Sequence, residues 1–257
     1  MKTESLEGLD VIVVYVGILA GDLWMSLTGL RDFLKKDLSV GLVVGTYTRP
    51  IWDFALEHVK GLDGVRIIGQ IADPDEHNHP FCPGKGFHAL VPAYDYVKTQ
   101  LKERFDEEKI LRFDTPGNSY GTKRDKLELK SGALRNDDRV TLHGYTRHGW
   151  KNCDFVVYRA EYNLPTFQVG FADEPAWPSG RLPARPYSEM VLSMLHGRGL
   201  ATVLSSFNCI ATVFHKPAVV ASYTSDCKWV NYTNPNALVM VTPSIRQFQD
   251  AVSTMGW

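Results

Sequence analysis

The stretch VVYVGILAGDLWMSLTGLRDFLKK, Val13–Lys36, puts an apolar β-branched run, a glycine-flanked turn and an amphipathic helix in immediate succession. Working outward, Leu9–Val16 (LDVIVVYV) is apolar at nearly every position, as in a strand covered on both faces. Beyond the turn, Leu23, Leu27, Leu30 and Leu34 recur at helical spacing, with Arg31, Asp32, Lys35 and Lys36 falling between them on the wet face. Ser39–Tyr47 (SVGLVVGTY) then reads as a second strand, Pro50–Lys60 as a helix with proline in its first turn, and Gly64–Gly69 (GVRIIG) as a third strand. Strand, helix, strand, helix, strand implies parallel β-structure with right-handed crossovers.

The alternation continues through the chain. Ile71–Gly86, crowded with proline and glycine, reads as a long loop. Phe87–Phe105 reads as a helix that Pro92 either kinks or starts. Lys109–Phe113 (KILRF) offers a fourth strand, and the polar Asp114–Asp138 has the character of a linker. After it, Arg139–Tyr145 and Thr166–Phe171 read as strands, and DFVVYRAEY between them as a possible helix. Tyr187–Gly197 reads as a helix with Ser188 near its cap. Leu200–Ser206 and Pro217–Tyr223 are strands around a short helix, and ALVMV with SIRQFQDAVSTMG closes the chain as strand and helix. The fold class expected is α/β: two Rossmann-like lobes with mostly parallel sheets and a cleft between them. The expected boundaries are residues 1–115, a linker at 116–138, and residues 139–257.

A chain of 257 residues can bury a substantial core. The formal net charge of -1 supplies no global attraction to a polyanion, so nucleic acid is a possible partner that charge does not indicate. Cys82, Cys153, Cys209 and Cys227 form no CxxC pair and read as thiols of a reducing compartment. The polar N-terminus is unlike a secretory leader, and no apolar run reaches the ~20 residues of a membrane span. A cytoplasmic protein without a transmembrane segment is the expectation.

The turn GILAGD, Gly17–Asp22, lets backbone approach a ligand beside a helix N-terminus. It is neither the GxGxxG fingerprint nor a P-loop, which removes the best grounds for a dehydrogenase or kinase. Asp22 has two readings: a helix N-cap worth ~1 kcal/mol, or a base that takes a proton from a substrate hydroxyl.

Three stretches, in order, resemble the heptosyltransferase family (glycosyltransferase family nine). The first is the N-terminal strand, Gly21-Asp22 and the helix that follows. The second is VTLHGYTRHGWK (Val140–Lys151) with FQVGFADEPAW (Phe167–Trp177), and the third is VLSSFNCIATVFHKPAVVASYTSD (Val203–Asp226). The resemblance implies a two-Rossmann GT-B fold, with an acceptor lobe followed by a donor lobe, and an inverting sugar transfer from a nucleotide sugar. It implies Asp22 as general base, Lys151 on the donor phosphate, Glu174 on the ribose, and Ser205, Ser206 and Asn208 facing the diphosphate. Gly21, Thr146 and Arg147 join the donor-binding set. The family's Asp-Ser/Thr-Gly with a following His is replaced here by LSSFNCIA, with Cys209 where the histidine is expected.

The chemistry of that set stands on its own terms. Inversion needs a base on the acceptor oxygen and positive groups on the departing diphosphate. Lysine and a helix dipole can neutralise the leaving group, so no cofactor or metal is implied. His77, His79 and Cys82 lie close together, but two histidines and one cysteine make a weak zinc pattern. His77 and His79 read as acceptor-loop residues, His143 and His148 equally as structural or substrate-contacting ones, and Trp150 and Trp177 as packing aromatics. Glu174 and Lys151 each have a plain surface reading beside the donor-binding one. Thr122–Lys130 (TKRDKLELK) reads as a solvated linker face or, alternatively, as a basic stretch that tracks phosphates of a nucleic acid or an anionic glycolipid. A lipopolysaccharide-type glycan is the favoured acceptor. The alternatives are a hydroxymethylated base in DNA and a non-catalytic nucleotide-sugar binding module.

Overall fold

In both halves of the chain, short runs of valine, isoleucine and leucine pair side by side into parallel sheets. The structure, a computed structural model, describes residues 4–16, 20–34, 37–71, 91–113, 126–131, 137–145, 155–171, 174–176, 180–222 and 234–257. It divides into two compact units, Met1–Gly117 and Asn118–Trp257.

Unit 1 contains strands β1 (Val11–Tyr15), β2 (Val40–Gly45), β3 (Val65–Ile71) and β4 (Ile110–Phe113). Helices α1 (Ala20–Leu34), α2 (Arg49–His58) and α3 (Val91–Leu101) connect them. The sheet order is β3-β2-β1-β4, and every described pairing is parallel. Val97 and Leu101 of α3 pack on Ile12, Val14, Val43 and Ile110. The opposite pleat carries Tyr15, whose ring meets Trp52 of α2 edge-on at 5.4 Å, while Trp24 of α1 meets Phe54 of α2 at 5.7 Å. The chain thus moves outward through β2 and β3 and returns to β4, which places the reversal of strand order between β1 and β4.

Unit 2 contains β5 (Val140–His143), β6 (Thr166–Gln168), β9 (Gly199–Val203), β10 (Ala218–Ser222) and β11 (Ala237–Val241) in one parallel sheet. A two-residue antiparallel pair, β7 (Pro175–Ala176) and β8 (Gly180–Arg181), stands apart from it. The helices are α4 (Tyr187–His196), α5 (Ser206–Val213) and α6 (Ile245–Thr254). Strand order β11-β10-β9-β5-β6 reverses between β5 and β9. One pleat of these strands, Val140, Leu142, Ala201 and Val203, packs on Phe248 and Val252 of α6 and on the C-terminal Trp257. Side chains alternate along a strand, so Thr141, His143 and Thr202 belong to the other pleat, on the α5 side of the sheet.

Several local expectations are corrected. Asp22 lies inside the first turn of α1, since Ala20 and Gly21 are already helical; it does not occupy an N-cap. Pro186 is the N-cap residue of α4, with Ser188 two residues on in its first turn. Phe155–Arg159 forms a single π-helical turn in place of a full helix: with Tyr162 donating to the Val156 carbonyl at 2.5 Å, the chain folds back before an α-helix develops. The strand expected over Thr166–Phe171 ends at Gln168. Within the polar segment read as linker, Leu127 and Leu129 are buried, and the Leu127 N–H donates to the Val213 carbonyl at 2.8 Å. Two leucines two residues apart supply one apolar face, enough to dock an otherwise charged stretch. Pro92 occupies the first turn of the described α3, where a missing N–H costs little. Ser244 closes α6 with a capping box, accepting from the Gln247 N–H while the Gln247 side chain accepts from the Ser244 N–H.

Candidate functional site

The carboxyl ends of β5 and β9 carry a polar cluster in an apolar sheet. His143, the last residue of β5, sits in register beside Thr202 of β9. Its Nε2 lies 3.2 Å from Glu174 Oε2, and its Nδ1 lies 3.0 Å from Ser205 Oγ and 3.5 Å from Thr202 Oγ1. Phe207 of α5 covers the imidazole with ring centroids 4.6 Å apart, and Phe171 in turn meets Phe207 at 6.3 Å. His143 and Glu174 are 3% and 4% exposed, so the pair is shielded from water. A buried carboxylate requires this kind of partner.

Backbone geometry holds Glu174 in place. Its N–H donates to the Phe171 carbonyl at 2.9 Å, and the Leu182 N–H donates to its carbonyl. The carboxylate lies directly over Gly170, where any side chain would collide with Glu174 Oε2 and with Leu182 Cδ1. The surface-charge reading of Glu174 is therefore overturned.

Helix α5 begins where β9 ends. Ser205 is its N-cap in extended conformation, yet its hydroxyl makes no capping bond and turns to His143 instead. The first-turn N–H groups of α5 are left without that cap, and no acidic residue lies among them. Asn208, in the same turn, is 0% exposed, and neither its Nδ2 nor its Oδ1 has a hydrogen-bond partner among the described residues. A buried amide without partners costs about 1–3 kcal/mol, which makes a bound ligand the natural second half of its hydrogen-bonding. Helix N–H groups, a positive dipole end and a buried amide together suit an anion. The location is the point of strand-order reversal, where doubly wound sheets bind their ligands.

Of the residues expected from sequence, Glu174 and Ser205 meet on His143, while Ser206 and Asn208 occupy the first turn of α5. Cys209 is buried in the same helix. Gly21 and Asp22 belong to α1 in unit 1; Asp22 is 7% exposed, and its carbonyl accepts from Ser26 Oγ at 2.7 Å. Thr146, Arg147, His148, Trp150, Lys151, His77, His79, Cys82 and Trp177 lie outside the described residues. Thr202 is the residue of this cluster that the sequence did not single out; His143, open there between a structural and a substrate-contacting role, sits at its centre. The available signal was a polar side chain on alternate positions at the carboxyl end of an otherwise apolar strand. Among the described residues no group of three or more His, Cys, Asp or Glu is placed to hold a metal ion. No helix of the described residues is long and apolar enough to cross a membrane.

The architecture matches solved structures. That of the E. coli heptosyltransferase WaaC with ADP superposes with a TM-score of 0.54 at 10% identity, covering 95% of this chain and 98% of that one. WaaC with ADP-2-deoxy-2-fluoro heptose gives a TM-score of 0.51 at 11% identity, with the same coverage of each chain. The fold is of the GT-B type. At this identity the likeness is one of fold, spanning both Rossmann-like units. No family model matches the sequence, and no curated protein matches it.

Proposed function

We propose that the protein is a glycosyltransferase that binds a nucleotide-sugar donor in unit 2 and transfers the sugar, with inversion, to a hydroxyl acceptor. The observation that carries this reading is the uncapped N-terminus of α5 with its buried Asn208 amide, at the strand-order reversal beside Glu174. That combination suits a nucleoside diphosphate, and the GT-B structures it is similar to hold ADP and an ADP-sugar analogue.

In this mechanism the first-turn N–H groups of α5, Ser205, Ser206 and Asn208 receive the diphosphate, Lys151 adds a positive charge, and Glu174 accepts from the ribose. Gly21, Thr146 and Arg147 complete the donor-binding set. Asp22, at the positive end of α1, removes the proton from the acceptor hydroxyl as the glycosidic bond to the diphosphate breaks. Negative charge grows on the leaving diphosphate in the transition state, and preorganised N–H donors stabilise it there more than in the ground state. His77 and His79 are assigned to the acceptor loop, and a lipopolysaccharide-type glycan to the acceptor.

A thermal-shift panel of ADP-, GDP-, UDP- and CMP-linked sugars and their free nucleotides tests the binding half. Saturation at ~100 times Kd adds about 2.7 kcal/mol to stability, and a selective rise with one nucleotide family is expected. Asp22→Asn tests the catalytic half: transfer should fall about 10²- to 10⁴-fold while the nucleotide-induced shift persists. No shift with any nucleotide refutes the reading. Binding without turnover in any acceptor mixture leaves a nucleotide-sugar binding module.

A further inference from the structure

His143 has hydrogen-bonding neighbours at both ring nitrogens. Thr202 Oγ1 has one proton, and its 2.9 Å bond to the Val203 carbonyl uses it. Toward His143 Nδ1, Thr202 therefore presents only lone pairs. On the other side of the ring, Glu174 Oε2 accepts at Nε2. Thr202 and Glu174 thus offer the ring only acceptors, while Ser205 can donate or accept at Nδ1, so two ring forms satisfy both nitrogens: the imidazolium, and the neutral ring protonated at Nε2. With the imidazolium, Ser205 Oγ, 3.0 Å from Nδ1, accepts from the ring, and its own O–H is released to donate elsewhere. In the neutral ring that donates to Glu174, Nδ1 must instead accept, Ser205 donates to it, and the serine turns lone pairs toward the start of α5. The same hydroxyl attracts an anion in one proton state and repels it in the other.

We propose that His143 is a positioning residue whose protonation sets Ser205 as a hydrogen-bond donor, so that anion binding at the start of α5 is coupled to one proton on the imidazole. The inference rests on the proposed nucleotide site. It adds that the site recognises a di-anionic phosphate group in a proton-dependent way, through a residue that does not itself contact the ligand. The groups facing the ring are Glu174 from the loop after β6, Thr202 from β9, and Ser205 and Phe207 from the start of α5. Glu174 is the titratable one among them.

Titration calorimetry of the intact protein tests this. The probes are the nucleoside diphosphate that gives the largest thermal shift and inorganic pyrophosphate. Measurements run from pH 7.5 to 9 in two buffers of different ionisation enthalpy; pyrophosphate itself loses a proton toward the top of this range, and that contribution is measured on the free ligand and subtracted. The expected result is an affinity that falls with pH, at most tenfold per unit for one coupled proton, with matching proton uptake on binding. Ser205→Ala, at a half-buried N-cap that makes no capping bond, should fold normally. It should bind about tenfold more weakly at pH 7.5, as for loss of one charge-assisted bond, and lose most of the pH dependence. Ser205→Thr should restore both, and the double variant H143Q/E174Q, which removes both titratable side chains together, should bind without proton uptake. Pyrophosphate or nucleotide affinity that is flat with pH, or pH dependence unchanged in Ser205→Ala, overturns the inference and leaves the nucleotide reading intact. Binding of pyrophosphate with proton uptake but of no nucleotide supports it while refuting that reading. Binding of neither overturns both.

Discussion

Lys216, in the turn between α5 and β10, is a cation built into the unit that carries the site. Its side chain is buried, 6% exposed, and Nζ donates to the Gly197 carbonyl, at the end of α4, across 2.6 Å. Burial, reinforced by the positive charge of Lys126, pushes the ammonium down from 10.5 to about 8. Each pH unit between those values is worth about 1.4 kcal/mol, so the charged form opposes folding by roughly 3 kcal/mol at pH 7. The unfolded chain keeps the proton up to its ordinary value, while the folded one loses it from about 8 upward. Stability therefore rises with pH through this window, by about 2 kcal/mol between pH 7 and pH 9.5 for this group. Lys216→Met removes the charge and also the bond to Gly197, which returns about 1–2 kcal/mol. The variant should be more stable than the parent by about 1–2 kcal/mol at pH 7, with the difference vanishing or reversing near pH 9.5. Denaturant unfolding at both pH values, following the transition that includes unit 2, measures this directly. A difference that stays constant between them, or a variant that is less stable at pH 7, refutes the reasoning.

Other substitutions probe the packing around the site. Asn208→Leu replaces a buried amide without partners by a side chain of similar size; it should raise thermal stability by about 1–2 kcal/mol and abolish the nucleotide-induced shift, a gain and a loss read in one melting series. Gly170→Ala introduces a methyl group where Glu174 and Leu182 lie, and should weaken nucleotide binding by displacing the carboxylate from His143, as measured by calorimetry. Gly199→Ala drives a methyl into the Trp257 ring and to 2.9 Å from the Pro217 carbonyl; a loss of about 1–3 kcal/mol with changed tryptophan fluorescence is expected.

Local pattern alone determined much of this protein. The apolar run of β1, the leucine spacing of α1 and the proline in the first turn of α2 each follow from nearest neighbours in the chain, and the α/β alternation follows from them. Ser205, Ser206 and Asn208 were legible as the start of a helix after a strand, because that too is a local property. What only the tertiary structure decided is which distant groups meet. His143 is separated by 31 residues from Glu174 and by 62 from Ser205, and no period or motif in the sequence sets those contacts. They depend on β9 pairing with β5 in the register that puts His143 beside Thr202, and on the pleat turning both toward α5. The burial of Leu127 and Leu129 and the place of Asp22 within its helix were likewise settled by packing. Periodicity reports the preferences of neighbouring residues, whereas hydrogen bonds between strands join segments whose separation along the chain carries no information about their separation in space.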